Sequence, residues 1–168
     1  MAENSTLDST DLKILGLLQE NARTTTRTLA EKVNLSTTPV FERLKRLERE
    51  GYIKKYIAVL DAEKLDQGFE VFCSVKLKQM TRDAAIGFTS VIGGFPQVTE
   101  CYNISGEYDY LLKIRARNMK DYNSFIINEL GTLDSIGSIQ SSFVMAEIKN
   151  VPGLYFTDTD GKSDQRVV

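Results

Sequence analysis

The chain contains no histidine and no tryptophan, and only two cysteines and three prolines among its 168 residues. Without imidazole it lacks the commonest general base near neutral pH and the commonest metal ligand. Cys73 and Cys101 have nothing around them spaced like a metal site, and each stands in an apolar, strand-like stretch; both read as buried thiols. No apolar run approaches the roughly 20 residues needed to cross a bilayer, and the polar start Met1-Ala2-Glu3-Asn4 has no signal-peptide core. The expected compartment is the cytoplasm, with no membrane partner. Nucleophile-base pairs, metal spacing and a phosphate-binding glycine loop are also missing, so the expectation is a protein that is not an enzyme, with no catalytic residue, metal or cofactor.

What is present is 42% hydrophobic and 26% charged residues, enough for one domain or two small ones. The net charge of -2 conceals a polarised chain: residues 1–55 carry +2 and the remainder -4. Between Ser36 and Lys55 there are six basic and three acidic residues, so positive charge is concentrated in one segment.

Three short helices are expected in the N-terminal third. Residues 8–20 place Leu12, Leu15 and Leu18 on one face, with Leu17 beside them, after a capping Asp8-Ser9. Thr26 to Val33 turns Leu29, Ala30 and Val33 inward and ends at Asn34, a residue suited to left-handed geometry. A third helix starts at Ser36, tolerates Pro39 in its first turn and stops at Gly51. Its inward stripe is Val40, Leu44 and Leu47; Thr38, Glu42, Lys45, Arg46 and Arg49 project oppositely. Tyr52 to Leu60 reads as a short strand.

Three helices with a basic outer face on the third match a recognition helix that enters the DNA major groove. A basic helix alone is more often a solvated surface, with Glu42 near Arg46 as an ordinary pair. Paired threonines at its start and the adjacent Lys54 and Lys55, suited to phosphates, favour double-stranded DNA as the partner. Arg43, Lys45 or Arg46 can donate to guanine edges or phosphates, Thr37 and Thr38 can meet phosphate or a thymine methyl, and Glu42 can accept from cytosine. Ser36 and Arg49 complete the candidate surface.

Beyond a polar linker, residues 61–68, the period changes. Phe69, Val71, Cys73, Val75 and Leu77 alternate with Glu70, Phe72, Ser74, Lys76 and Lys78 as a strand. A helix follows from Thr81 to Ile92, then strands at 97–105 and 108–115, a helix from about Asn118 to Gly131, and a strand over 136–149. That order, βαββαβ, is the ferredoxin-like arrangement, so the chain is α+β, with a helix-turn-helix domain (1–60) and a sandwich domain (69–156). The polar tail, 157–168, is expected to be mobile. Helices cover one sheet face; Phe72, Cys101, Leu111, Val144 and Ala146 are expected on the other, whose apolar surface calls for sheet-to-sheet dimerisation.

LDSTDLKILGLLQENAR from Leu7, LAEKVNLS from Leu29, ERLKRLEREGYI from Glu42 and SGEYDYLLKIRA from Ser105 together resemble the Lrp/AsnC, or feast/famine, family of transcriptional regulators over residues 7 to about 150. The resemblance implies a winged helix-turn-helix DNA-binding domain at 1–60, an effector-binding domain that dimerises, dimers that assemble into octamers, and amino acids bound between dimers that alter assembly or promoter output. It implies an effector site at Ile104, Ser105, Gly106, Tyr108, Asp109 and Tyr110, with Met119 and Ser141, Ser142, Phe143 and Val144 nearby. There the glycine-turn amides would hold a carboxylate, Asp109 an ammonium group, and Met119 or Phe143 a side chain. The competing reading is a metabolite-sensing oligomeric scaffold that acts through protein partners, with the helix-turn-helix as a protein contact; for the effector site itself, the plainer alternative is that Gly106 serves only the hairpin turn and Asp109 is a solvated edge charge.

Overall fold

A computed structural model describes residues 7–156, and the tail expected at 157–168 lies outside them. The described residues form two compact units: residues 7–59 with 151–156, and residues 60–150. The second crossing of the chain, at 150, differs from the expected single boundary at the linker.

The first unit contains α1 (Ser9–Glu20), α2 (Thr26–Val33) and α3 (Thr37–Arg49). Asp8 caps α1 in a reciprocal box: its carboxylate accepts from the Asp11 amide at 2.8 Å, and the Asp11 carboxylate accepts from the Asp8 amide at 3.1 Å. Thr25 caps α2, and Asn34 ends it at φ 56°, the left-handed conformation its short amide side chain tolerates. Gly51, at φ 78°, turns the chain out of α3. Ile14, Leu29, Val40 and Leu47 are fully buried in one cluster with Leu18 and Ala30, and each such aliphatic side chain contributes about 1.5–3 kcal/mol. The buried stripe of α1 is Asp11, Ile14 and Leu18, whereas Leu12, Leu15 and Leu17 are only half-buried beside it.

The strand expected over Tyr52 to Leu60 does not form: this stretch is extended but belongs to no ladder among the described residues. Ile57, Val59 and Leu60 are mostly exposed. Alternation supplies the shape of a strand, and a neighbouring edge must supply its hydrogen bonds.

The second unit opens with a 3-10 turn, Glu63–Leu65, inside the expected linker. There follow β1 (Phe69–Leu77), α4 (Arg82–Ile92), β2 (Val98–Asn103), β3 (Tyr110–Ala116), α5 (Met119–Asn128), a 3-10 turn (Leu130–Thr132) and β4 (Ile136–Phe143). The sheet is antiparallel in the order β2-β3-β1-β4, the ferredoxin-like order. Val71, Cys73 and Val75 of β1 and Leu112 and Ile114 of β3 are fully buried against Phe88, Tyr122 and Phe125 of the helices. β4 ends at Phe143 rather than at residue 149: Val71 pairs with Phe143, Val144 makes one further bond to the Glu70 carbonyl, and β1 has only Phe69 beyond that.

On the sheet face away from the helices, Phe72 pairs across with Lys113 and Ser142, and Leu111 with Tyr102. Val144 is half-buried past the end of β4 and Ala146 is exposed. Cys101 departs from expectation twice. It stands opposite Leu112, hence on the helix side, and it is exposed because β2 is an edge strand. The open face is also more charged than expected. Glu70 is bonded by Arg115 at 2.5 Å and Lys113 at 3.3 Å, and Lys113 lies 3.7 Å from Glu100, with Glu70 and Lys113 only 10% and 14% exposed.

Candidate nucleic-acid interface and effector site

Helix α3 presents its surface in two sectors. Thr38, Phe41, Glu42, Lys45 and Arg49 are exposed at three- and four-residue spacing, forming one stripe. Ser36, Thr37 and Thr38 are exposed at its start, and the Ser36 side chain makes no capping bond, so the hydroxyl and the first helical amides face outward together. Phe41, 46% exposed, has Lys45 Nζ 5.7 Å from its ring centroid; it was missed because an aromatic inside a helical pattern reads as core. Lys45 also bonds Glu48 at 3.1 Å. Lys54 and Lys55 are exposed just past the helix.

Arg43 and Arg46 occupy the other sector. Arg43 donates to Asp8 at 2.6 Å and to Asp11 at 2.8 Å, and Arg46 bonds Asp11 at 2.5 Å. Asp11 is 1% exposed, and an ionised carboxylate that deep needs a cation. Both guanidiniums are therefore drawn back onto α1, away from the stripe on which sequence spacing put Arg46. The hydrogen bonds that Arg43 donates to Asp11 and Asp8 raise its pKa above the ordinary value. Burial would lift the Asp8 carboxyl, but the Asp11 amide and Arg43 outweigh it and hold it below the carboxylate range. Tyr56, on the extended stretch, donates to Glu48 at 3.0 Å, and burial plus that carboxylate push its phenol up to about 12.

The expected effector residues fall into separate places within the second unit. Ile104 to Asp109 form the β2-β3 hairpin, in which Gly106 takes φ 134°, a conformation reserved for glycine. The Ile104 amide donates to the Asp109 carbonyl at 2.9 Å and the Asp109 amide to the Val75 carbonyl at 3.0 Å. One carboxylate oxygen of Asp109 already accepts from the Leu77 amide at 2.7 Å, fixing the hairpin against the end of β1. Tyr108 donates to Gln140 Oε1 at 2.5 Å. Tyr110 is a core residue, 4% exposed, with its ring 4.6 Å from that of Phe88.

At the far end of the sheet, Phe143 packs its ring against Phe69 and Tyr122 at 5.9 and 5.6 Å between centroids, and Ser141 shares a 2.5 Å hydrogen bond with Tyr122. Met119, half exposed, opens α5. Ser142, paired with Phe72, shares the open face. The hairpin meets β1 at Val75 and Phe143 meets it at Val71, four residues or about 13 Å along the strand. Among the described residues Tyr108 spans part of that gap through its bond to Gln140, the neighbour of Ser141, whereas Phe143 and Met119 stay at the other end.

Two family models match: a winged helix-turn-helix DNA-binding model over residues 7–54 and the Lrp/AsnC ligand binding domain over residues 70–154. The chain is 39% identical to the Bkd operon transcriptional regulator of Pseudomonas aeruginosa, covering 84% of this chain and 93% of the relative. It is 36% identical to the DNA-binding transcriptional activator DecR of Escherichia coli, covering 88% and 97%. Among solved structures it is similar to a transcriptional regulator of Neisseria meningitidis in complex with L-Met, at TM-score 0.85 and 38% identity over 89% of this chain and 96% of that one. With both domains matched in order, and with a helix-turn-helix and a four-stranded ligand-binding fold in place, the chain belongs to the Lrp/AsnC family of DNA-binding transcriptional regulators whose output is modulated by a small effector.

Proposed function

We propose that this regulator reads DNA with the stripe Thr38, Glu42, Lys45 and Arg49 of α3, joined by Phe41, in the major groove. Ser36, Thr37, Lys54 and Lys55 meet phosphates on either side. The observation that carries this reading is the division of α3 into two sectors: Arg43 and Arg46 are tied to Asp8 and Asp11 and brace the helix, while the exposed stripe is left for bases. The apolar Phe41 ring suits a thymine methyl, and Lys45 and Arg49 suit guanine edges or phosphates.

The effector in this reading is an α-amino acid with an apolar side chain, consistent with the L-Met held by the Neisseria relative. The Ile104–Asp109 hairpin offers backbone amides at Gly106 for a carboxylate, and Asp109 keeps one carboxylate oxygen beyond its bond to Leu77 for an ammonium group. Met119, Phe143 and Val144 would complete the side-chain pocket from a second copy, since in one chain they lie at the other end of the sheet. The open face, with Phe72, Leu111 and Tyr102 around the Glu70, Lys113 and Arg115 cluster, is the surface on which two copies pair, and further association builds the octamer.

The test combines mobility shift with sedimentation, on the intact chain and genomic promoter fragments. Lys45→Ala and Arg49→Ala should each weaken specific binding about tenfold while leaving the melting midpoint unchanged. Unchanged affinity in both variants would refute the assignment of the stripe. For the effector, L-methionine should bind saturably by calorimetry and change assembly or DNA affinity, and Asp109→Asn should abolish that heat.

A further inference from the structure

The chain passes between its two units twice, leaving the helix-turn-helix unit after Val59 and rejoining it at Val151. On its return it lies on α1. The side-chain amide of Gln19 makes both bonds that a peptide unit offers: Nε2 donates to the Leu154 carbonyl at 2.8 Å, and the Leu154 amide donates to Oε1 at 2.7 Å. A Cβ on Gly153 would stand 2.4 Å from Gln19 Cδ, so a side chain there would push the Gln19 amide away from its two bonds with Leu154. The Phe156 ring reaches 4.0 Å from the point where a Cβ on Gly16 would sit, ordinary packing distance over the one residue of α1 that carries no side chain. Leu154 and Tyr155 are 74% and 72% exposed, so directional bonds hold the contact, with little burial, and it can open and close.

We propose that residues 151–156 form a clip that docks the end of the ligand-binding domain's chain onto α1, giving the helix-turn-helix a second tether besides the linker. The clip continues the chain from β4, whose Ser141, Ser142 and Phe143 are among the proposed effector residues. A change at that end of the sheet therefore pulls on the helix that Asp8 and Asp11 lock to Arg43 and Arg46 of α3. The transmitting role rests on the effector reading given above; the clip itself does not.

The experiment uses the intact chain and three variants: Gln19→Ala, Gln19→Glu, which keeps the length but turns a second acceptor toward the Leu154 carbonyl, and Gly153→Val. Hydrogen exchange at residues 151–156 and in the last turn of α1 should rise about fivefold or more in each, with the exchange of β1 and β3 unchanged. DNA affinity without ligand should stay within about twofold of the parent, and the change in affinity caused by L-methionine should shrink by at least about tenfold. Unchanged exchange at 151–156 in Gln19→Glu and Gly153→Val overturns the clip. Raised exchange with the full methionine response retained overturns its transmitting role. A parent chain whose DNA affinity ignores methionine overturns the effector reading and the transmitting role together, while exchange still decides the clip.

Discussion

Replacing Asp11 by Asn tests the claim that Arg43 and Arg46 are structural. Asp11 is 1% exposed, while the two arginines are 30% and 26% exposed. Removing one partner of a buried ion pair costs about 3–5 kcal/mol when the remaining charge stays buried. Here each guanidinium reaches water over about a quarter of its surface, and Asn retains a carbonyl for the Asp8 amide. Discounting for solvent screening leaves about 2 kcal/mol. For a unit of this size that lowers the melting midpoint by about 8–16 °C. Circular dichroism follows the transition, and hydrogen exchange assigns the loss to α1 and α3, leaving the sheet unaffected. On the Asp11→Asn background, Arg46→Gln should cost at least about 1 kcal/mol less than in the parent. A midpoint shift under about 2 °C, or strict additivity of the two substitutions, would show that the pair does not brace the recognition helix.

Three further outcomes follow from the same geometry. The Asp8 carboxyl is depressed in the folded state, so its contribution is intact above the unfolded carboxylate pKa of about 3.8 and is lost as pH falls through the lower folded value; acid titration of Asp8→Asn should lack that part of the transition. Cys73 is fully buried with its thiol pushed up to about 11, chiefly by burial, so a thiol reagent on native protein near pH 8 should modify Cys101 alone, and mass mapping that finds Cys73 labelled at a similar rate would contradict the core described. Gly106→Ala would meet no atom within 4 Å but must hold φ 134°, so it should cost about 1–3 kcal/mol through backbone strain alone, read as a lower midpoint of the second unit together with loss of the methionine response.

Local chemistry made most of the fold legible. Caps at Asp8 and Thr81, the left-handed Asn34 and the period-two run from Phe69 to Leu77 each specify a boundary without help from distant residues. What escaped sequence reading depends on partners far along the chain. Asp11 lies 32 and 35 residues from Arg43 and Arg46, and helical periodicity describes the faces of one helix without naming the carboxylate on the next. The face assigned to Cys101 depends on a register shift between Val98 and Glu100, which alternation alone cannot place. The segment after Gly51 has strand composition but no edge to pair with among the described residues. For the effector residues, turn chemistry at Gly106 was readable, whereas the bond from Leu77 to Asp109 and the burial of Tyr110 needed the assembled sheet.

The bracing of α3 also limits how strongly the protein can feel salt. Six basic residues lie between Ser36 and Lys55, and if all met phosphates the slope of log affinity against log salt would be about -5.4 per helix-turn-helix. Arg43 and Arg46 are neutralised by Asp8 and Asp11, so they release no counterions on binding. That leaves Lys45, Arg49, Lys54 and Lys55, and a slope no steeper than about -3.6. Lys45 is already bonded to Glu48 at 3.1 Å and Arg49 lies 3.8 Å from Glu50, which pulls the value down further. Titration of one duplex across a range of salt, divided by the number of bound helix-turn-helix units, gives the slope directly. A value near -5.4 that falls toward about -3.6 when Arg43 and Arg46 are replaced by glutamine would mean that DNA takes both away from α1. In that case Asp11→Asn should tighten binding; a braced helix predicts instead a shallow slope in the parent, which Asp11→Asn steepens by up to about 0.9 by removing the carboxylate that neutralises Arg46, at a cost in stability.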